Sequence, residues 1–218
     1  TSRIRHTHFD NLASAKSNGW NLTGALTFYE SPVEMSNVKI SGNKSEDALN
    51  IVRSSFLIKD SIFSGGLSDA LDVDFGEGVI ENSQFEHYGN DAIDVSGTKV
   101  TLKSISISDA GDKGISAGEN SIVEADNINI RNSNIAVASK DKSRVKLNTI
   151  KLENGAIGFS AYQKKSELGP GYISIHGLSH KGIQRLYLVE ENSKVVVGEK
   201  EILDKRPDVK EFLYPSPN

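Results

Sequence analysis

The residues in this chain best suited to chemistry are aspartates, and they recur at a fixed interval. "SDALDVDF" at 68–75 returns as "NDAIDVSG" at 90–97, so Asp69, Asp72 and Asp74 of one copy answer to Asp91, Asp94 and Ser96 of the next. Like charges about 5 Å apart repel by roughly 1 kcal/mol even in water, so carboxylates set side by side need compensation. A cation held by Asp72, Asp74 and Asp94 would supply it, and Ca2+ accepts many oxygen ligands in loose geometry. A shared proton would leave one carboxyl as an acid and its neighbour as a base, the demand of glycoside hydrolysis. Ammonium groups from later copies, Lys113 and Lys140, would pair with them instead. The plainer alternative is aspartate at a strand start bonding local backbone amides, beside a solvated lysine face.

The interval itself identifies the elements that hold these side chains. "ALTF" at 25–28 returns as "ALNI" at 48, "ALDV" at 70, "AIDV" at 92, "GISA" at 114, "AVAS" at 136 and "AIGF" at 156, in steps of 23, 22, 22, 22, 22 and 20. Every copy opens on Ala or Gly and continues with Leu, Ile or Val. Between copies lie two more apolar bursts, such as "EGVIE" with "NSQFE" and "SRVKL" with "NTIKL", too short for helices and alternating with period two. Three short strands in about 22 residues make one turn of a parallel β-helix, whose units bury their apolar faces only by stacking. The expected fold is all-β: a right-handed parallel β-helix of roughly eight to nine coils. Leu49, Leu71, Ile93, Ile115, Val137 and, by the last step, Ile157 should then form one interior ladder, and Phe63, Phe85, Ile107, Ile130 and Leu152 another. An antiparallel sandwich offers no reason for so regular a register.

With that register, outward positions fall into files. Asp47, Asp69, Asp91 and Lys113 precede the small residue. Asn50, Asp72, Asp94, Ser116 and Ala138 form a second file, and Val52, Asp74, Ser96, Gly118, Lys140 and Ser160 a third, with Tyr162, Gln163, Lys164 and Lys165 extending the same face. Asp60, Asn82, Ser104, Asn127 and Thr149 form a turn file whose expected duty is bonding turn amides. The coils should be regular over 20–176 and looser over 177–218, within one domain of a longer chain. "RIRHTHFDN" reads as the last strand of a coil, with an insert near "LASAKSNGWN", and the Phe-Leu-Tyr cluster of "KRPDVKEFLYPSPN" should plug the core at the other end. The turns read as short, which favours a binding or structural role over an enzyme with long loops walling a groove.

Totals narrow the partners. With 25 Lys and Arg against 29 Asp and Glu, the net charge of -4 lacks the basic surface that nucleic acid requires. No Cys is present, so neither disulfides nor thiolate metal sites enter. No run of apolar residues is long enough to span a bilayer as a helix. His6 and His8 share a strand face without a third ligand nearby, and the sequons at Asn21 and Asn43 are no more than chance supplies.

Over residues 20–176 the coil length and columns resemble the pectin-lyase-like superfamily, and within it polygalacturonase-type hydrolases. Those carry Asn-Thr-Asp-Gly, Gly-Asp-Asp and Gly-His-Gly segments on successive coils. Here "SDAL" places Asp69 at the first and "GNDA" places Asn90 and Asp91 at the second; "DKGI" puts Lys113 where that family has His, and "ASKD" offers only Lys140 for its Arg-x-Lys. The resemblance thus implies Asp69 and Asp91 as catalytic acids, with two departures that count against hydrolysis of that kind. A lyase would use Lys113 or Lys140 as base, Tyr162 as proton donor and Ca2+ on Asp72, Asp74 and Asp94 to neutralise a uronate. "DKGISAGE", "ASKDKS" and "AYQKK" also resemble β-helix modules of bacterial surface proteins that carry spore-coat-H-like domains. The combined expectation is a secreted or surface-exposed module that binds an acidic polysaccharide along the face from Asp69 to Tyr162. A lyase or hydrolase, and a structural or adhesion scaffold, are the alternatives.

Overall fold

A computed structural model of the chain describes residues 1–17 and 19–215. Its strands wind into a parallel β-helix with three faces. The first face stacks Val33 on Phe56 and then runs through Glu77–Glu81, Lys99, Ile122, Arg144, Tyr172 and Lys194–Val197. The second stacks Ile62–Gly66 on Gln84–Tyr88 and continues below. The third, which carries the aspartates, stacks Gly24–Tyr29, Asp47–Val52, Asp69–Asp74, Ile93–Ser96 and Lys113–Gly118. In the lower coils single extended runs, Ile122–Lys140, Arg144–Tyr162 and Tyr172–Glu190, cross all three faces.

The repeat column is the interior ladder it was expected to be. Leu26, Leu49, Leu71, Ile93, Ile115 and Val137 are successive partners, and the last five are fully buried. On the second face Phe63, Phe85, Ile107, Ile130 and Leu152 do the same, the two Phe rings stacking at 4.7 Å between centroids. One position differs from expectation. Val137 pairs with Phe159, and Ile157 with Ile135, so the interval stays 22 where "AIGF" suggested 20. The interstrand hydrogen bonds set the interval, and a small-aliphatic pair arising two residues early does not move it.

The turn file also does different work. Asp60, Asn82, Ser104 and Asn127 have φ near +50°, the left-handed conformation that Asn and Asp tolerate best, and turn the chain from first to second face. Their side chains bond one another: Asn82 Nδ2 donates to Asp60 Oδ1 at 3.2 Å and Asn127 Nδ2 to Ser104 Oγ at 3.1 Å. Turn amides are instead satisfied by the next residue, as where Val38 N donates to Ser61 Oγ and Ser61 N to Ser83 Oγ, each at 3.2 Å.

Two corners are long, and both border the third face. From Ser2 to its partner Val33 the chain takes 31 residues, and from Arg144 to Tyr172 it takes 28, against 22 from Ile122 to Arg144. The first excess includes a small antiparallel ribbon pairing Lys16 with Asn21; Asn18, within the expected insert, lies outside the described residues. The second is the segment 163–171. The short-turn expectation therefore fails where it mattered. The C-terminal expectation is corrected too: Val209–Leu213 forms a helix laid over the lower coils of the third face, where Val209 and Leu213 pack with Ile135, Ala138, Ile157, Tyr162 and Leu188 in a cluster separate from the main core. The lower end is closed by a reversal that pairs Val196 with Glu201 and Val197 with Lys200. Residues 216–218 of the expected plug lie outside the described residues.

Candidate functional site

The third face places the predicted residues on two kinds of position. Asp69, Asp91 and Lys113 are buried at the corner where each coil enters the face, in the column that continues below as Ile135, Ile157 and Arg185. Asp69 Oδ1 accepts from Asp91 N and from Asn90 Nδ2, both at 2.7 Å, and Asp91 Oδ1 accepts from Lys113 N at 2.9 Å. Each carboxylate thus caps the backbone of the coil below, which was the plainer reading of these aspartates. Burial pushes Asp69 up to about 6, against the pull of those donors. Asp91 is 2% exposed and Lys113 3%, and their ion pair at 3.5 Å is enclosed, with Asp112 also bonded to the Lys113 ammonium. Burial opposes charge on Lys113, but Asp91, Tyr214 and Asp112 outweigh it and hold the amine above its ordinary range. A base of the lyase kind needs the opposite shift.

Asp72, Asp74 and Asp94 belong to the outward files. Asp72 and Asp94 are register partners, as are Asn50 and Asp72, so the geometric premise of the repeat holds. Asn50 Nδ2 donates to Asp72 Oδ2 at 3.0 Å. Burial, reinforced by the charges of Asp74, Asp47 and Asp94, pushes the Asp72 carboxyl up to about 9, so it is a neutral acid at pH 7. Burial and then Asp94 and Glu119 raise Asp74 as well. Asp94 Oδ1 is buried without a hydrogen-bond partner among the described residues, 3.9 Å from the Lys140 ammonium. Lys140 itself donates to Ser116 Oγ at 2.9 Å, and its amine is largely enclosed. Among the described residues no three His, Cys, Asp or Glu side chains converge to hold a metal ion. Asp72 and Asp94 stack in one file and Asp74 stands in the next, beside Ser96. What compensates the stacked acids is a retained proton, an amide donor and one ammonium.

Tyr162 is fully buried, its hydroxyl 3.0 Å from that of Tyr214, and burial raises its pKa far above the usual phenol range. It does not reach the groove as a proton donor. The segment 163–171 runs along the edge of the face: Asp141 Oδ1 accepts from Lys164 N and Lys165 N at 2.7 Å, Lys165 pairs with Glu119, and the Lys164 ammonium lies 4.8 Å from the ring centre of Tyr214, which with the C-terminal helix covers the lower coils. At the upper end Asn21, Leu22 and Thr23 of the other long corner stand with Asn50, Val52 and Asp74 around a common hollow. The floor between these walls is Asn50, Asp72, Asp74 and Asp94.

The family description "Right handed beta helix region" matches residues 47–169. The chain belongs to the right-handed β-helix family. No curated protein matches it. Among solved structures it is similar to the catalytic domain of a GH87 alpha-1,3-glucanase in complex with nigerose, at 11% identity and a TM-score of 0.37, over 79% of this chain and 50% of that one. A second similarity is to the D1069A form of a GH87 alpha-1,3-glucanase catalytic domain with tetrasaccharides, at 9% identity and a TM-score of 0.29, over 79% of this chain and 55% of that one. The chain thus spans about half the length of the solved domains it matches. Superposition this loose speaks to neither activity nor substrate.

Within the right-handed β-helix stack, the residues that sequence reasoning passed over are Asn50, Tyr29 and Leu22. Asn50 stood in the right file but carried no charge to draw notice. Tyr29 and Leu22 gain meaning only from the long corner at 11–23, and the signal that could have found them was the 31-residue first step. Tyr214 was grouped with the expected end plug, yet it lies 52 positions after the tyrosine whose hydroxyl it meets.

Proposed function

We propose that the third face of this β-helix binds a polysaccharide lying along the stack axis, between the walls 11–23 and 163–171. The observation that carries this reading is the outward file Asn50, Asp72 and Asp94, an amide, a neutral acid and a carboxylate on successive rungs about 4.8 Å apart. Such a mixture of donors and acceptors suits hydroxyls, and the repeating rungs suit a repeating chain. A neutral glycan is the better fit than the acidic one expected from the sequence. The nearby ammonium groups are already engaged, Lys140 with Ser116 and Asp94, Lys165 with Glu119, and Lys113 with Asp91 and Asp112. Uronates would need Ca2+ to bridge them to the aspartates. On that ligand class we propose that the chain works outside the cell or on its surface.

A second reading is favoured by one observation, the pairing of Asp72, which holds its proton to about pH 9, with the register neighbour Asp94. In that reading Asp72 protonates the glycosidic oxygen, and the Asp94 carboxylate attacks the anomeric carbon or takes a proton from the attacking water. Affinity electrophoresis in gels cast with neutral glucans and mannans, against alginate and pectate, tests the first reading. Retardation by a neutral glycan, weakened in Asp94→Asn, supports it. Retardation by acidic glycans alone, restored by Ca2+, transfers the case to the acidic ligand, and no retardation leaves a scaffold. Release of reducing ends by wild type, lost in both Asp72→Asn and Asp94→Asn, would establish the second.

A further inference from the structure

The hollow at the upper end of the third face has a volume of about 670 Å³, within the range of small-ligand sites. Its lining is mixed. Leu22, Val52 and the ring of Tyr29 are apolar, whereas Asn21, Thr23, Thr27, Asn50 and Asp74 offer amide, hydroxyl and carboxyl groups. Tyr29 is 57% exposed, an unusual cost for an aromatic ring. The ring is nevertheless held: Arg53 donates to the Tyr29 hydroxyl at 3.1 Å, and Arg53 is itself 3.8 Å from Glu30. A fixed aromatic surface beside converging polar groups is what a pyranose ring requires. Its C–H face rests on the aromatic ring while its hydroxyls, which point outward from the edge, reach amides and carboxyls.

The position on the stack gives the hollow a relation to the aspartate file. Asn50, which lines it, donates to Asp72 on the next rung, and Asp94 lies one rung further. A sugar seated on Tyr29 would therefore place its neighbour in the chain over Asp72 and Asp94. We propose that this hollow is a sugar subsite: one neutral pyranose ring stacks on Tyr29, with Asn50, Thr27 and Asp74 bonding its hydroxyls, and anchors the polysaccharide end next to the aspartates. The inference rests on the glycan-binding reading above and names where that binding is strongest.

The test measures dissociation constants of a neutral oligosaccharide ladder for wild type, Tyr29→Ala, Tyr29→Phe and Asp94→Asn, with a thermal melt of each variant. Among the described residues Tyr29 belongs to neither apolar cluster, so its replacements should melt as wild type does. Tyr29→Ala should weaken binding about tenfold, while Tyr29→Phe keeps most of the affinity because the ring remains. Wild-type affinity in Tyr29→Ala, with binding still weakened in Asp94→Asn, would overturn the subsite and leave the glycan-binding reading in place. Equal loss in Tyr29→Phe and Tyr29→Ala would also overturn it, since the Arg53 link rather than ring stacking would then matter. Wild type that binds no oligosaccharide overturns both.

Discussion

The first and third faces of this β-helix stack side chains on rungs of the same spacing, yet they handle charge in opposite ways. On the first face charges alternate up the ladder: the Lys59 ammonium lies 2.9 Å from Glu81, and the Lys103 ammonium 3.4 Å from the same carboxylate. Bonds from these lysines hold Glu81 below the usual carboxylate range. On the third face acid stacks on acid, Asp72 on Asp94, and burial lifts Asp72 to about 9. Alternation neutralises a surface at no cost. Repetition of one sign under partial burial is destabilising, and carboxyls perturbed in this way cluster at functional sites.

Substitutions can break this contrast, and the largest effect should come from the enclosed pair. Lys113→Met strands the Asp91 carboxylate in the interior and should cost about 3–5 kcal/mol in urea unfolding. Asp72→Asn works the other way. It keeps an acceptor for Asn50 while removing the acid, and at pH 8 it should stabilise the protein by about 1–2 kcal/mol.

The pH dependence sharpens the same contrast. Folded Asp72 keeps its proton to about pH 9, whereas in the unfolded chain it is lost near 3.8, so the associated stability is complete below that value and drains away as pH rises. Melting temperature should decline between about pH 4 and 9, and the slope should flatten in Asp72→Asn. Glu81 has the reverse sign, its contribution being present above its unfolded value of 4.5 and fading as pH falls. The smallest effect belongs there: Lys103→Met should change stability by about 0.5 kcal/mol or less, since Lys59 still pairs with Glu81. A loss as large as that of Lys113→Met would erase the distinction between the faces.

The stack was legible in the sequence because its cause is local and repeated. A small residue followed by an aliphatic one marks where each coil enters the third face, and Leu49, Leu71 and Ile93 fall where the interval places them. The same device misplaced Ile157, because residue type alone could not show that hydrogen bonding keeps Phe159 under Val137. The adjacency of Asp72 and Asp94 followed from the interval too. The bonds that Asp69 and Asp91 make did not: each spends a carboxylate oxygen on an amide of the next coil, and nothing in "SDAL" or "NDAI" shows that. Tyr162 was placed on the right face, but it and not Ser160 follows Lys140 in its file, and it is enclosed by a residue from the C-terminal segment, a contact between distant parts of the chain that no periodicity encodes.

The two long corners have a consequence of their own. Added residues at a bend leave every rung above and below in place, as the 28-residue step shows: Arg144 meets Tyr172 in the same alignment that Ile122 keeps with Arg144. Floor and rim of the groove are therefore mechanically uncoupled. Trimming or grafting at either bend should retune what the molecule grips without asking the wound scaffold to refold.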